Sequence, residues 1–520
     1  MAKVAARCTW IAFWCVPLFA CGQAPGRCLD SSCDVSQADA GDLEDAGDSN
    51  DAGVYKDGGT AQCAAGELAC DGGCIDVTGD DNNCGGCGDT CAAPMHCAQA
   101  ACVYSNIAHV ILIVQENHTF DSYFGRYCQA DAGSNPTCTS GSGCCEAAPA
   151  TDPTGDSPIV LDDNANLAAD PNHSQACELE EIDGGEMNGF TEGTDIGSSV
   201  CESACSRRAN FALADSSSVP LYWGYAQAYA LADRYFQPIV GSSSSNDMYF
   251  ATAHSEFIDD GLLPASVGSG CSDPLHLCTT SDTSSLSGTT VGDLLVGAGR
   301  SFAVYADGYA QAVDAAPSCP DVSNDCPYDL LHPVLRRSCL YDPSDIPFEY
   351  YPQFTDNPIF MRDYAQLADD LANGALPDFS FIKAMTFRNE HPEFSTISAG
   401  EQFVASTVES ILTSPYADST LILVTWDEGG GFFDHIAPPA SVDTDSSGNP
   451  VPQGTRVPLL AIGRFARTNW VSHVVMDHSS IVRFLEYNFV GSVGGLNAAD
   501  ARVNGLGSLL DPSQTGIPIP

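Results

Sequence analysis

The pattern of hydrophobic and polar positions is clearest in two apolar runs that stop abruptly at acidic residues. Residues 110–114 (VILIV) are followed by QEN, and residues 420–425 (TLILVT) are followed by WDEGGG. Uninterrupted apolar runs of this length are typical of strands that are buried on both faces of a parallel sheet. The two runs therefore predict an α/β fold with a mostly parallel sheet between helices.

The polar residues that follow these runs are candidate ligands of a divalent metal ion. Glu116 and Asn117 follow the first run, and Asp427 and Glu428 follow the second. Open α/β sheets bind ligands beyond the carboxyl ends of their strands, and carboxylate and amide oxygens suit Ca²⁺, Mg²⁺, Mn²⁺ or Zn²⁺. We therefore predict that the two pairs meet at one edge of the sheet and hold such an ion.

Further segments extend the α/β prediction. Residues 301–305 and 456–463 (RVPLLAIG) are predicted as buried strands. Residues 400–412 and 479–487 have helical patterns, and the second of these helices is capped either by Asp477 or by its own first serine.

The part of the chain before these elements divides into three segments. Residues 1–21 have the features of a secretory signal and end on LFAC, so both ordinary cleavage and lipidation of Cys21 with membrane attachment are open. Residues 22–62 are acidic and predicted to be a disordered linker. Residues 63–103 form a predicted disulfide-rich module, and residues 105–520 are the predicted catalytic domain.

The cysteines and the charge both bear on location and partners. Beyond residue 21 the cysteines fall into even groups: two near the amino terminus, eight within 63–102 and twelve within 128–339. The even groups favour disulfides and export to the cell surface. We therefore predict disulfides rather than zinc for the pair Cys84 and Cys87, and disulfides that fix the insertion at 131–156. The net charge of −49 excludes nucleic acid as a partner and calls for a local cation beside any phosphate substrate.

Two longer motifs resemble a known family. ENHTFDSYFG (residues 116–125) resembles the motif ENRSFDxYFG, and WDEGGGFFDHIAPP (residues 426–439) is similar to DExGGxFDHVxPP. Both belong to the bacterial phosphoesterase family, which contains phosphatidylcholine-type phospholipases C and acid phosphatases. The resemblance covers residues 107–491 and implies an alkaline-phosphatase-like fold and a divalent metal ion.

The resemblance also implies a nucleophile. GSSSSNDMY (residues 241–249) is similar to the nucleophile motif GPTxPNRxY and places Ser243 at the reactive position. Both prolines of the motif are serines here, so Ser242 and Ser244 stay open as alternatives.

Three histidines stand in motifs of the same family. His173 lies in DPNHSQACELEEIDGGEMNGF, His391 in EHPEFSTISAGE and His435 in the FDH element, and the resemblance implies that they act on protons or phosphoryl oxygens. The double histidine that often precedes PFxYF is missing, and Asp345 or Ser344 stands in its place.

The resemblance implies a secreted or lipid-anchored, metal-dependent phosphoester hydrolase that works through a phosphoseryl intermediate. A phospholipid and a small phosphomonoester are both open as substrates. The alternative is a catalytically degenerate cell-surface binding or adhesion protein whose working part is the disulfide module, because the prolines and the double histidine are replaced. Metal content discriminates between the two, since a degenerate scaffold has no reason to retain an ion.

Overall fold

The computed structural model describes residues 63, 66–70, 73–80, 82–91, 95–98, 100–192, 204–271, 283–321, 339–445 and 447–520. The predicted signal and linker, with Cys21, lie outside the described residues. Within them, no helix combines the length and the apolar character that crossing a bilayer requires.

Eighteen β-strands are present in the described part of the chain. They are β1 Glu67–Cys70, β2 Gly73–Asp76, β3 His96–Ala98, β4 Ala101–Val103, β5 His109–Gln115, β6 Ile159–Val160, β7 Ala212–Leu213, β8 Ala230–Ala232, β9 Tyr235–Phe236, β10 Leu263–Pro264, β11 Thr283–Ser284, β12 Phe302–Ala306, β13 Met361–Asp363, β14 Phe379–Lys383, β15 Thr420–Trp426, β16 Leu459–Ile462, β17 Trp470–Ser472 and β18 Met476–Asp477.

Twelve α-helices accompany these strands in the same residues. They are α1 Phe120–Phe124, α2 Asp163–Ala168, α3 Gln175–Ile182, α4 Pro220–Ala228, α5 Ser243–Asp247, α6 Tyr249–Thr252, α7 Val291–Gly297, α8 Tyr309–Ala315, α9 Gln366–Asn373, α10 Ile397–Leu412, α11 His478–Leu485 and α12 Pro512–Thr515. Asp477 is the N-cap of α11, where its side chain accepts a hydrogen bond from the N–H of Ser479, so the first of the two predicted caps is correct.

The main sheet has eight strands in the order β13-β12-β14-β5-β15-β16-β8-β17. Seven of them run in the same direction, and β16 is antiparallel to both of its neighbours, β15 and β8. The predicted class, an α/β fold with a mostly parallel sheet preceded by a disulfide-rich module, is therefore confirmed. The predicted strands within 301–305 and 456–463 are confirmed as β12 and β16.

The centre of the sheet determines where the site lies. In β5 the side chains of residues 110–114 are fully buried, which stabilises the fold by about 1.5–3 kcal/mol for each of these aliphatic residues. Lys383 at the end of β14 pairs with Val114, and Trp426 at the end of β15 pairs with Gln115. The carboxyl ends of three adjacent strands, β14, β5 and β15, therefore lie side by side.

Disulfides close the module and the insertion, as predicted. Within residues 63–102 the bonded pairs are Cys63–Cys74, Cys70–Cys87, Cys84–Cys97 and Cys91–Cys102. Cys84 and Cys87 thus belong to two different disulfides, which removes the zinc alternative for that pair. The later pairs are Cys128–Cys145, Cys138–Cys144, Cys177–Cys205 and Cys271–Cys319, of which the first two fix the insertion at 131–156.

Candidate active site

Asp427 ties the ends of β5 and β15 together. Its Oδ1 atom accepts a hydrogen bond from the backbone N–H of Asn117 at 3.2 Å and one from that of Glu428 at 2.8 Å. Glu116, Asn117, Asp427 and Glu428 are all buried, with at most 2% of each residue exposed. The structure places the four predicted metal ligands at the same edge of the sheet, without bringing oxygens of all three carboxylates to within 4.8 Å of one another, and their role as ligands stays a prediction.

The glycines after β15 permit a close approach of two backbone segments. Gly430 has a positive φ of 65°, and a Cβ atom there would lie 2.4 Å from the carbonyl oxygen of Asn117. Asn117 itself has a φ of 64°, a left-handed conformation that asparagine adopts more readily than most residues. The N–H of Gly430 also donates to Oε2 of Glu428, so the glycine segment fixes this carboxylate.

Among the four serines of the run, Ser243 is the one whose hydroxyl contacts a predicted metal ligand in the described hydrogen bonds. It begins α5, and its Oγ atom donates to Oδ1 of Asn117 at 3.3 Å. The backbone N–H of Ser244 donates to Asp260 at 3.1 Å, and the hydroxyl of Ser245 donates to the carbonyl of the serine at 242. This geometry favours Ser243 over its neighbours, and its role as nucleophile stays a prediction.

Lys383 is the cation of this cluster, and its sequence position had not marked it as a site residue. Its Nζ atom lies 3.1 Å from Oε1 of Glu116, 3.2 Å from Oδ2 of Asp247 and 3.6 Å from Oδ2 of Asp427. Burial disfavours a charged lysine, but Asp247, Glu116 and Asp427 more than offset it, so the pKa of Lys383 lies well above its ordinary value.

Carboxylates outnumber cationic side chains at this edge of the sheet. Burial raises the pKa of Asp427 to about 6 although Lys383 acts in the opposite direction, and burial together with Glu178 and Asp427 raises that of Glu428 well above normal. Oδ2 of Asp427 and Oε1 of Glu428 accept no hydrogen bond from a described residue. Buried oxygens without partners are costly, and a divalent cation bound by oxygen ligands would satisfy them, so these residues fit the predicted ion.

His173 and His391 lie together beside this carboxylate cluster. Their ring centroids are 5.8 Å apart, and Nε2 of His173 lies 3.9 Å from Oε1 of Glu428. Burial disfavours a charged His173, but Asp170 and the carbonyl of Pro171 more than offset it and raise its pKa. Two of the three predicted histidines therefore lie together, with His173 next to the Glu428 carboxylate.

His435 lies in a different cluster. Its Nδ1 atom is 2.7 Å from Oδ2 of Asp121, and its Nε2 atom is 3.5 Å from Glu146. Arg456 pairs with Asp121 at 3.0 Å and with Asp434 at 2.8 Å, so its guanidinium compensates part of the negative charge of these acids. No described hydrogen bond or ion pair joins His435 to the four predicted ligands, and its catalytic role stays a prediction.

Two further acids belong to the cluster, and the sequence pattern indicates them only in part. Asp345, at the place of the missing double histidine, hydrogen-bonds Glu116, and burial and Glu116 raise the pKa of Asp345 well above normal. Asp247 stands where the nucleophile motif has arginine, a departure that was visible in GSSSSNDMY. The sequence signal for Lys383 is a charged residue at the end of the apolar strand FSFIK, seven positions before the EHPEF motif begins.

Two other histidines close to the site have structural roles. His118 stacks on Tyr123 and Phe432, and burial lowers its pKa to about 3. His478 lies with Nε2 2.6 Å from the carbonyl oxygen of Asp427, and burial lowers its pKa to about 3 as well. Both imidazoles are therefore neutral, and His478 supports the backbone at the end of β15.

Comparison with known proteins identifies the family of the chain. The sequence model described as "Phosphoesterase family" matches residues 107–490. The chain belongs to this family. The match includes both strand ends, the serine run and all three predicted histidines.

Several phospholipases C are similar to the chain. The hemolytic phospholipase C of Pseudomonas aeruginosa is 25% identical over 413 residues, which cover 74% of this chain and 53% of that protein. The non-hemolytic phospholipase C of Burkholderia pseudomallei is 23% identical over 417 residues, 74% and 55% of the two chains. Phospholipase C B of Mycobacterium tuberculosis is 25% identical over 438 residues, 78% and 77%. This chain spans about half the length of the first two relatives.

Among solved structures, a protein of the alkaline phosphatase superfamily from Vibrio parahaemolyticus is 11% identical, with 52% of this chain and 59% of that chain covered and a TM-score of 0.26. The phosphonate monoester hydrolase of Silicibacter pomeroyi is also 11% identical, with 58% and 72% covered and a TM-score of 0.28. At these scores the comparison adds nothing to the strand order described above.

Proposed function

We propose that the protein is an exported, metal-dependent phosphoester hydrolase of the phospholipase C type, with Ser243 as its nucleophile. The observation that carries this proposal is the contact of the Ser243 hydroxyl with Asn117, beside Asp427 and Glu428, each of which has a buried oxygen without a hydrogen-bond donor among the described residues. Membership of the phosphoesterase family and the names of the similar proteins support a phospholipid as substrate.

The metal ion would be held by Glu116, Asn117, Asp427 and Glu428. A bound divalent cation favours the ionised form of a serine hydroxyl and neutralises the negative charge that develops on phosphoryl oxygens. The family motif and the contacts of Asn117 both support this ligand set. The glycine segment after β15 keeps the Glu428 carboxylate in a fixed orientation, because the N–H of Gly430 donates to it.

Ser243 begins the reaction as the attacking group, in the alkoxide form that remains once its hydroxyl proton has passed to solvent. Its Oγ atom forms a bond to phosphorus while the bond from phosphorus to the leaving oxygen breaks, and the leaving alcohol takes a proton from a histidine. Water then attacks the phosphoseryl group, the histidine accepts the proton of that water, and the bond from Oγ to phosphorus breaks. Serine and histidine are thereby returned to their starting states.

The proton carrier is His391, His173 or His435. The raised pKa of His173 supports it as the donor to the leaving oxygen, because it favours the imidazolium form that carries the proton. His391 is the second choice, since its ring lies 5.8 Å from that of His173. The contacts of His435 with Asp121 favour a supporting role for that residue.

Export is supported by the disulfides of the module and the catalytic domain, which persist in an oxidising compartment. Attachment of the protein to a membrane through lipidated Cys21 would place the site near a lipid surface.

The test combines a substrate comparison with chemical trapping. Turnover of a phosphatidylcholine is compared with that of p-nitrophenyl phosphate, and the enzyme is quenched in acid during turnover for peptide mapping. We expect faster hydrolysis of the phosphodiester and a phosphoryl group on Ser243. A phosphoryl group on Ser244 would show that the register is wrong, and turnover without any phosphoserine would indicate direct attack by water. Absence of turnover and of bound metal would favour the alternative, a cell-surface binding protein.

A further inference from the structure

Lys383 is unusual in both sequence and position. The chain has three lysines, at positions 3, 56 and 383, so this is the one lysine in the last 464 residues. It is 3% exposed and ends the strand next to β5. A buried ammonium is stable only where carboxylates compensate it, and here Glu116, Asp247 and Asp427 all lie within 3.6 Å of Nζ.

We propose that Lys383 is a positioning residue that shares the Glu116 and Asp427 carboxylates with the divalent cation, keeping them in place without the ion and weakening its binding. This inference rests on the proposed function, because it concerns the same ligands. It assigns to the protein's own ammonium part of the charge compensation that the metal ion would otherwise supply alone.

Asp247 anchors the ammonium on one side. It is fully buried at the end of α5, the helix that begins with Ser243, and its Oδ2 atom lies 3.2 Å from Nζ. Lys383 therefore links the helix of the proposed nucleophile to the strand ends that carry the proposed ligands.

Glu116 and Asp427 lie on the other side and serve both cations. Oδ2 of Asp427 has no hydrogen-bond donor among the described residues and faces Nζ at 3.6 Å, so the lysine is the nearest described positive charge to it. Because two cations that compete for the same oxygens also repel each other, the ammonium lowers the affinity for the ion. In return, the carboxylates are partly neutralised before the ion binds.

The experiment compares the full-length protein with its Lys383→Met variant, which keeps the length of the side chain and removes its charge. Ca²⁺, Mg²⁺, Mn²⁺ and Zn²⁺ are titrated separately by calorimetry, and melting temperatures are measured in EDTA and at saturating ion. We expect the variant to bind the preferred ion at least tenfold more tightly than the wild type and to melt at a lower temperature in EDTA. Saturating ion should raise the melting temperature of the variant by more than it raises that of the wild type.

Arg464→Met is the matched control, because Arg464 is half-exposed, donates from Nε to the side chain of Gln514 at 2.9 Å and has its ion-pair partner, Asp418, 3.9 Å away. It removes one positive charge from the same acidic protein without touching the cluster, and we expect an unchanged dissociation constant. The double variant Lys383→Met with Asp247→Asn removes the buried pair as a unit and is expected to bind the ion more tightly than the wild type as well.

The outcomes separate this inference from the proposed function. Ion binding by the wild type with unchanged or weaker binding by a folded Lys383→Met variant overturns the inference alone. Binding by neither protein overturns both the metal assignment and the inference. A variant that folds only when the ion is added supports the inference, whereas one that does not fold even with the ion overturns it.

Discussion

The hydroxyl oxygen of Ser243 lies 3.3 Å from the amide oxygen of Asn117, although 126 positions separate the two residues in the chain. The other hydroxyls of the serine run have different surroundings, as the bond from Ser245 to the carbonyl of Ser242 shows. One of the four hydroxyl oxygens is thus directed at the proposed ligands. The activities of alanine variants at neighbouring serines can therefore be compared.

Ser243→Ala should lower kcat by at least about a thousandfold, because removal of a nucleophile abolishes the covalent route. Ser242→Ala and Ser244→Ala should keep at least part of the activity, since neither is directed at Asn117. Steady-state turnover of a phosphodiester measures the effect, with circular dichroism as the test of folding. Equal losses in all three variants would contradict the assignment.

Asp427→Asn should reduce activity by roughly a hundredfold or more, because it removes a ligand charge from the centre of the cluster. The amount of bound ion per protein, measured by elemental analysis of the purified variant, should decrease in parallel. EDTA should inactivate the wild type, and added divalent ion should restore its activity. Asp418→Asn, at a carboxylate 86% exposed, is the control. Full activity of Asp427→Asn would refute the metal site.

The strand ends were predictable from the sequence, and the reason is local. A long apolar run that stops at acids specifies a buried strand and the place where it ends, and both features lie within ten residues. The cap of α11 was predictable for the same reason. Family motifs then added Ser243 and the histidines, which no periodicity distinguishes from other polar residues.

The rest of the site depends on pairings between distant segments. The sequence of β16 shows that it is buried but not that it runs antiparallel to β15, because strand direction depends on the connection between them. Lys383 is a site residue only because β14 pairs with β5 in a register that sets Lys383 opposite Val114. The pair of His435 with Asp121 spans 314 positions, so the FDH motif alone did not reveal it.

Glu390 gives a prediction about pH. Its buried carboxylate accepts hydrogen bonds from Tyr123 at 2.7 Å and from the indole of Trp426 at 2.9 Å, and burial raises its pKa to about 8. Between about pH 4.5 and 8 the folded state keeps a proton that the unfolded state releases, so the stability contributed by this proton falls as pH rises through that window.

Glu390→Gln removes this titration. The melting temperature of the wild type relative to that of the variant should therefore decrease between pH 5 and pH 8.5. Glu409→Gln, on the exposed face of α10, serves as the control. A constant difference between wild type and Glu390→Gln across the range would show that the carboxyl does not hold its proton.

Arg456 should be a determinant of stability. Its fully buried guanidinium pairs with Asp121 and Asp434 and lies 4.5 Å above the ring centroid of Phe120. Arg456→Met takes the guanidinium away from two buried acids, and a cost of about 3–5 kcal/mol in the free energy of unfolding is expected. Denaturant unfolding measures it, and a loss below about 1 kcal/mol would contradict the described pairing.

His435 and His391 should respond differently to the same change. His435→Asn weakens the support of Asp121 and should mainly lower the melting temperature, leaving the pH profile of kcat in place. His391→Asn, beside His173, should lower kcat with little change in melting temperature. A large loss of kcat in a fully stable His435→Asn variant would indicate that His435 itself carries a proton in the reaction.

The eight disulfides whose partners are both described join cysteines only 6 to 48 residues apart. Each bridge needs only a short length of newly made chain, so oxidation can proceed in the order of synthesis, before β15 has emerged to pair with β5. Reduction of the finished protein would correspondingly loosen individual loops one at a time, while the pairing of the central strands persists.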